Sequence, residues 1–260
     1  MNSPSPLSRA LAPLAGVIWA LYLATSVILV AVWITGFGEG HANDPAFKRT
    51  FPGEELRSGM ILLSRAIDPV WVALGAAVVY LRTAQQEGLD FARRAALITL
   101  LPSFLIAMAS AGRYHLPLGP IFFPENLGWK IGLVPFCIPL LWFVIIVGSR
   151  EAALRLLERS SHLKVSLLTG VLSLLTIAIL DPIAWRYRAW WLWYPRPFEG
   201  PSHAPLQSYL TWAIVAFLAG FLMRSTRIGP SGAPRSWAPV IVWSLLNLSA
   251  LATMVALRVR

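Results

Sequence analysis

The sequence VSLLTGVLSLLTIAILDPIAW, residues 165–185, decides the fold. Its apolar run is uncharged up to residue 180, and a helix of about 20 such residues crosses a hydrocarbon core of ~30 Å. The run lacks the polar alternation of a strand in a lipid-facing barrel. Because only helices and closed barrels satisfy every backbone polar group in lipid, this stretch predicts a transmembrane α-helix.

The whole chain has the composition of a membrane protein. Of its 260 residues, 57% are hydrophobic and 13% are charged, whereas soluble domains average ~25% charged residues. We therefore predict an all-α, polytopic helix bundle with about seven transmembrane helices, forming a single integral-membrane domain over residues 1–260. The seven apolar segments lie near 12–36, 58–82, 94–112, 131–149, 164–184, 207–224 and 237–257.

With seven helices, the connections alternate between two faces of the membrane. Three predicted connections are short and polar: 83–93, 150–163 and 225–236. The other three are longer, contain Trp, Pro and Gly, and carry three of the four histidines: 37–57, 113–130 and 185–206. The long-loop face therefore has room for a site.

The distribution of charge bears on the partners. The net charge is +10, but Lys and Arg are scattered among the connections and form no basic arm, which favours anionic membrane lipid over nucleic acid. Positive charge is denser on the short-loop face, so we expect that face in the cytoplasm and the protein in the bacterial inner membrane. Cys137 is the only cysteine, which excludes an intrachain disulfide and a cysteine metal cluster.

Two Asp-Pro pairs put carboxyl groups at membrane depth. Asp181 ends the apolar run, where desolvation disfavours a charged carboxylate unless it is partnered. An interfacial ion pair with Arg186 or Arg188 is the alternative interpretation. Asp68 follows Arg65 by three residues and so shares its helical face, which predicts a structural ion pair inside the second helix.

The link between the third and fourth helices supplies His115 and Glu125. No second histidine stands at metal-ligand spacing, so we expect no metal site. His115 is either a general acid or base, or an interfacial histidine bonded to a loop carbonyl.

Aromatic residues cluster after Asp181. Trp185, Trp190, Trp191 and Trp193 are typical of a membrane-interface anchor, because indole has an apolar body and one hydrogen-bond donor. Trp142 and Trp212 add aromatic surface within the bundle. Such faces also line a tunnel for a polyene, or stabilise a cation by about 0.5–2 kcal/mol each.

Two segments, 116–142 and 180–193, resemble a family of membrane carotenoid-biosynthesis proteins that includes cofactor-independent carotenoid hydratases of the bacterioruberin and cyanobacterial type. The first segment has a Pro-x-Gly turn, an aromatic pair, Leu-Gly and then Val-Pro-x-x-Ile-Pro-Leu-x-Trp. The second has Leu-Asp-Pro followed by Trp-x-Trp. The matching residues are Pro117, Gly119, Leu127, Gly128, Val134, Pro135, Ile138, Pro139, Leu140, Trp142, Leu180, Asp181, Pro182, Trp191 and Trp193.

The chain departs from the family pattern at three places. It has Ile121 and Phe123 where the family tends to have tyrosines, and SYLTW (208–212) where the family has Asn-Phe-x-Gly-Trp. It also has Met108 in the region where the family tends to carry a glutamate.

The resemblance implies hydration of the terminal C1,2 double bond of an acyclic carotenoid, without metal, redox group or other cofactor. Such a reaction needs a protonated carboxylic acid, aromatic faces near a developing cation, and a held water. The residues implied for acid, base or water-holding roles are Asp181, His115 and Glu125. Those implied for binding the carotenoid or another polyisoprenoid are Trp142, Trp185, Trp191, Trp193, Trp212, Phe122 and Phe123.

Other functions remain open at this stage. The same cation closes a ring when water is excluded, which is the lycopene β-cyclase outcome, and FPGEEL (51–56) resembles the Pro-x-Glu-Glu of membrane lycopene cyclases. The missing family residues favour instead a non-catalytic pigment- or lipid-binding subunit of a membrane-protein assembly. A transporter is a third alternative, but the chain shows no internal repeat to support it.

Overall fold

Helices make up most of the described chain in the computed structural model. The structure describes residues 6–35, 53–112, 117–119, 121–124, 127–157, 160–186, 188, 190–193, 205–223 and 236–258. Within these ranges the all-α helix bundle is confirmed. The helices are α1 (Pro6–Thr35), α2 (Glu54–Glu87), α3 (Leu89–Ala111), α4 (Cys137–Leu156), α5 (His162–Arg186), α6 (Leu206–Leu222) and α7 (Ala238–Arg258).

Six of these helices are long and apolar enough to cross a membrane. The exception is α6, whose 17 residues reach ~25 Å at ~1.5 Å per residue. It packs closely along α5: a Cβ added at Gly170 would lie 2.9 Å from the carbonyl oxygen of Ala213. The chain is an integral membrane protein.

The connection after α2 differs from the sequence prediction. The predicted polar turn at 83–93 is helical except at Gly88, because α2 continues to Glu87 and α3 begins at Leu89. Gly88 has a φ of +93°, a conformation that L side chains rarely adopt, so a single glycine reverses the chain.

The start of α4 also differs from the prediction. The helix begins at Cys137 and not near 131, because residues 130–135 form a hairpin of β2 (Lys130–Ile131) and β3 (Val134–Pro135). Gly132, with a φ of +63°, makes its turn. The amide of Leu133 beside the turn donates to Met108 Sδ at 3.4 Å, so Met108 helps to fix this hairpin.

The centre of the bundle is α4. It is buried from Cys137 to Ala153, except at the half-buried Leu140, and contacts α2, α3, α5 and α7. A helix enclosed on all sides has apolar residues around its whole circumference, which explains the unbroken run IPLLWFVIIV at 138–147.

Described residues from two of the three predicted long links, 113–130 and 185–206, pair with each other. The antiparallel pair of β1 (Ile121–Phe122) and β4 (Leu192–Trp193) joins them, with Ile121 opposite Trp193 and Phe122 opposite Leu192. This pair, called here the ribbon, brings together the two segments that carry the family resemblance.

The crossing of α4 and α7 depends on Gly148. A Cβ at this position would collide with Trp243 Cβ and lie 3.1 Å from the carbonyl oxygen of Pro239, so the helices must separate to admit it. We expect Gly148→Ala to lower the free energy of unfolding by about 1–3 kcal/mol, measured as a lower thermal midpoint in detergent.

Gly16→Ala is the matched control. Nothing lies within 4 Å of a Cβ at Gly16, in the exposed part of α1. Alanine has the higher helix propensity, so this change should leave the midpoint unchanged or raise it. Equal midpoints for the two variants would show that the α4–α7 crossing does not need the glycine.

Candidate functional site

Asp181 lies in the last turns of α5 and is buried at 3% exposure. Its carboxylate accepts hydrogen bonds on both oxygens. Trp191 Nε1 donates to Oδ1 at 2.8 Å and Trp193 Nε1 donates to Oδ1 at 3.4 Å. The Tyr209 hydroxyl, in the first turn of α6, donates to Oδ2 at 3.3 Å.

The position of these donors follows from strand alternation in the ribbon. Residues two apart in an extended chain point to the same side, so Trp191 and Trp193 both face Asp181. Ile121 and Phe123 face the same way from the opposite strand and are buried, whereas Phe122 between them is exposed at 56%. The ribbon thus covers Asp181 with an aromatic roof.

A cavity lies beneath this roof. It is lined by side chains from α4, α5, α6 and both long links: Leu118, Ile121, Phe123, Ile138, Trp142, Ile177, Asp181, Trp191, Trp193, Ser208 and Trp212. It leaves about 20 Å³ for the centre of a water molecule, and ~10–15 Å³ is enough to hold one water. A carboxyl, a hydroxyl and aromatic faces therefore share one small, mostly apolar space.

The floor of the cavity is a stacked indole pair. The ring centroids of Trp142 and Trp212 are 3.4 Å apart with an interplanar angle of 16°, and both rings are buried. The outer face of a stacked indole attracts positive charge through the quadrupole of its ring.

The loop before the ribbon is held on both sides. The amide of Leu118 donates to Ser110 Oγ at 3.0 Å, and Thr211 Oγ1 donates to the carbonyl oxygen of Pro117 at 3.3 Å. Gly119 has a φ of +101°, and a Cβ there would lie 2.8 Å from Gln207 Nε2. The Pro-x-Gly turn therefore needs its glycine for its backbone conformation.

A second buried carboxylate lies on α2. Asp68 Oδ2 accepts from Arg188 Nε at 2.8 Å, Arg188 Nη2 at 2.7 Å and Trp190 Nε1 at 2.7 Å. Trp33 Nε1, near the end of α1, donates to Oδ1 at 3.0 Å. The cluster is charged, buried and adjacent to the cavity, because Ile138 lines both.

This second cluster bears on two sequence-based interpretations. Arg188, a possible partner for Asp181, donates to Asp68. The described partners of Asp68 come from α1 and from residues 188 and 190. The predicted pair of Asp68 with Arg65 and the alternative pair of Asp181 with Arg186 involve side chains outside what the structure describes.

Most of the predicted binding residues meet at the cavity. Asp181 lies beside five of them: Trp142, Trp191, Trp193, Trp212 and Phe123.

The other predicted site residues do not line the cavity or are not described. Trp185 is half-buried and does not line the cavity, and its Nε1 has no hydrogen-bond partner among the described residues. Phe122 faces outward beside Lys130, whose Nζ lies 5.7 Å from the ring centroid. His115 and Glu125 lie outside the described residues.

The anchor interpretation does not hold for the tryptophans that follow α5. Trp190, Trp191 and Trp193 are at most 5% exposed and donate to carboxylates inside the protein. Trp129 and Trp237 are the exposed indoles among the described residues, at 86% and 59%, and they suit a membrane interface better.

Sequence reasoning missed Tyr209 and Ser208. Both belong to SYLTW, which stood out only as a departure from the family pattern. A topological signal was present: α6 begins on the face where α5 ends, so its first turn lies level with Asp181. Polar residues in that turn were therefore candidates for the site.

Comparison with known proteins gives one family. The family model described as carotenoid biosynthesis protein matches residues 67–260, about three quarters of the chain. No curated protein and no solved structure matches the chain.

The donors around Asp181 make Asp181→Asn a conservative change for folding. The amide oxygen can accept from both indoles, and the amide N–H can donate to the Tyr209 hydroxyl, which also accepts. We expect its thermal midpoint in detergent to stay near that of the wild type.

Asp181→Leu is the contrasting variant. It leaves two buried indole N–H groups without their acceptor, at a cost of about 1–3 kcal/mol for each. Its midpoint should fall well below that of Asp181→Asn. Equal midpoints would mean that the hydrogen bonds to Asp181 contribute nothing to stability.

Proposed function

The chain belongs to the carotenoid biosynthesis protein family, and we propose that it hydrates the terminal C1,2 double bond of an acyclic carotenoid in the membrane. The observation that carries the proposal is a buried carboxyl, Asp181, in the wall of a cavity that is otherwise mostly aromatic and aliphatic. Terminal alkenes of this kind are activated by a proton, and a carboxyl beside an apolar pocket is a suitable donor.

The proposed reaction proceeds in two steps. The protonated Asp181 carboxyl transfers its proton to C2 of the trisubstituted alkene, which leaves a tertiary cation at C1. The oxygen of a water molecule then bonds to C1 and loses a proton to the Asp181 carboxylate. The sum is addition of one water to one double bond, the acid is regenerated, and no electron acceptor is needed.

The aromatic walls have a direct role in this scheme. The cation formed at C1 lies beside the Asp181 carboxylate left by the proton transfer, and a π surface within ~6 Å lowers its energy further, by about 0.5–2 kcal/mol per favourable ring. The stacked pair Trp142 and Trp212 and the roof indoles Trp191 and Trp193 surround the space where this carbon would lie.

The water molecule must be held close to C1 and away from the other carbons of the polyene. Ser208 is buried and lines the cavity, and its hydroxyl is a suitable group to orient one water. We also retain His115 and Glu125 as proposed acid, base or water-holding groups from the long link between α3 and α4. The small water-accessible volume suits the capture of a single water molecule.

The cavity is smaller than a carotenoid end group, so binding has to displace part of its lining. The ribbon is the natural part to move, because it consists of two-residue strands whereas the floor belongs to α4 and α6. We propose that the polyene lies in the bilayer of the bacterial inner membrane and inserts one end under the ribbon, within a single domain spanning residues 1–260.

An in vivo pigment assay tests the proposal. Expression in a lycopene-producing host should yield a more polar carotenoid, heavier by one water for each modified end. Asp181→Asn should reduce that product at least about 100-fold, because an amide does not donate a proton to carbon. The readout is chromatography with mass spectrometry, with the amount of folded protein measured alongside.

Asp90→Asn is the matched control, because Asp90 is an exposed carboxylate on the opposite face. It should make the wild-type amount of product. Cyclised pigment would identify a cyclase, and unchanged lycopene that copurifies with the protein would identify a pigment-binding subunit. Full activity of Asp181→Asn would remove Asp181 from the acid role.

Ser208→Ala tests the water-holding role. With no hydroxyl to orient water, we expect hydrated product to fall about 10-fold, while ring-closed or unreacted carotenoid increases. The control is Ser166→Ala. Ser166 is also buried, but its hydroxyl donates to the carbonyl oxygen of His162 at the far end of α5, so this change should leave the product ratio unchanged. An unaltered ratio for Ser208→Ala would assign the water to another group.

A further inference from the structure

We propose that Asp68 is a positioning residue for Asp181 and that it acts through residues 188–193, called here the strap. The inference rests on the proposed function in one respect, that Asp181 is the proton donor. Asp68 lies on α2 and Asp181 on α5, and the strap is the segment whose described side chains donate hydrogen bonds to both.

The attachment to Asp68 is charged and close. Arg188 donates from Nε and from Nη2 to the same carboxylate oxygen, at 2.8 and 2.7 Å, and Trp190 Nε1 donates to that oxygen at 2.7 Å. Charge-assisted bonds of this length are about twice as strong as neutral ones. All three side chains are buried, at 7% exposure or less, so water does not compete for them.

The strap divides its described side-chain donors between the two carboxylates. The earlier donors, Arg188 and Trp190, bond Asp68, whereas the two later indoles, Trp191 and Trp193, bond Asp181. Because these donors follow one another within one short segment, a displacement of Arg188 and Trp190 from Asp68 also moves the two indoles after them. The hydrogen bonds to Asp68 therefore help to place the indole donors at Asp181.

The backbone of the strap is held at both ends. The amides of Arg188 and Trp190 donate to the carbonyl oxygens of Ile183 and Ala184, at 2.9 and 2.7 Å. Residues 192 and 193 pair with β1. At the first attachment, the side chains of the same two residues bond Asp68 and draw the strap toward α2.

A buried ion pair is suited to holding the strap in one arrangement. Replacing such a pair by apolar residues often costs no stability, so we take its contribution here to be structural specificity rather than stability. Removing one partner alone leaves an uncompensated charge in a buried position. Movement of the strap lowers this cost, because it lets the charged Arg188 side chain leave the buried position. We infer that loss of Asp68 displaces the indole donors from Asp181 and misplaces the acid.

Hydrogen–deuterium exchange of the full chain in lipid nanodiscs tests the coupling without reference to activity. In Asp68→Asn, the peptide containing residues 183–193 should exchange at least about 10-fold faster, since its bonded amides open more often. Glu151→Gln, which breaks the buried Arg150–Glu151 pair at the other end of α4, should leave that peptide unchanged. Unchanged exchange in Asp68→Asn would overturn the proposal.

Turnover per folded protein supplies the second measurement. We expect Asp68→Asn to lower kcat about 10-fold to 100-fold with little change in KM, because a displaced acid affects the chemical step more than binding. The double variant Asp68→Asn with Arg188→Gln replaces the ion pair by two amides and should recover most of kcat. A purely structural role predicts less folded protein but a normal kcat, and that result would overturn the proposal.

Arg188→Lys keeps the test decisive if Asp68→Asn does not accumulate. Lysine keeps the charge but loses the planar fork that bonds Asp68 through two nitrogens, so the strap should loosen in a folded protein. Faster exchange at 183–193 with a lower kcat supports the proposal, and wild-type values of both contradict it. If the wild type makes no hydrated product, the proposed function is wrong. The exchange experiment still tests whether Asp68 holds the strap, because it does not depend on activity.

Discussion

Two buried carboxylates share one short segment of chain, and the arrangement of the long-loop face depends on that segment. Asp68 on α2 and Asp181 on α5 each need hydrogen-bond donors, because a carboxylate removed from water is costly unless it is partnered. The residues after α5 supply donors to both, Arg188 and Trp190 on one side and Trp191 and Trp193 on the other. The tryptophans of this segment thus serve as hydrogen-bond donors to carboxylates inside the protein.

This arrangement gives the two acids different surroundings. Asp68 is held by a guanidinium and two indoles, with Arg188 bonded through two nitrogens to one oxygen. Asp181 is held by two indoles and a phenol and opens onto the cavity. Pairs of titratable groups in unlike environments are a recurring basis for dividing chemical and structural roles. In the proposed mechanism Asp181 has the chemical role and Asp68 the positioning role.

The bundle was predictable because lipid imposes strong rules on sequence. Seven apolar runs predicted seven helices, and the errors were confined to ends, as at Gly88 and at the hairpin around Gly132, where single glycines with positive φ turn the chain. The site was only partly predictable. Asp181 and most of the tryptophans follow from local sequence and family resemblance, but the partner of Asp68 lies 120 residues away. Spacing pointed only to Arg65, whose side chain lies outside the described residues, since sequence patterns reveal neighbours along a helix and not contacts across the bundle. Tyr209 and Ser208 were missed for the same reason.

Hydration by the proposed route requires that a proton from solvent ends on carbon. An assay of the purified protein in D₂O with unlabelled carotenoid, followed by mass spectrometry of the product after back-exchange in H₂O, measures this directly. We expect one carbon-bound deuterium for each hydrated end group, together with oxygen derived from water. A hydroxylated product that carries no deuterium on carbon and takes its oxygen from O₂ would contradict it.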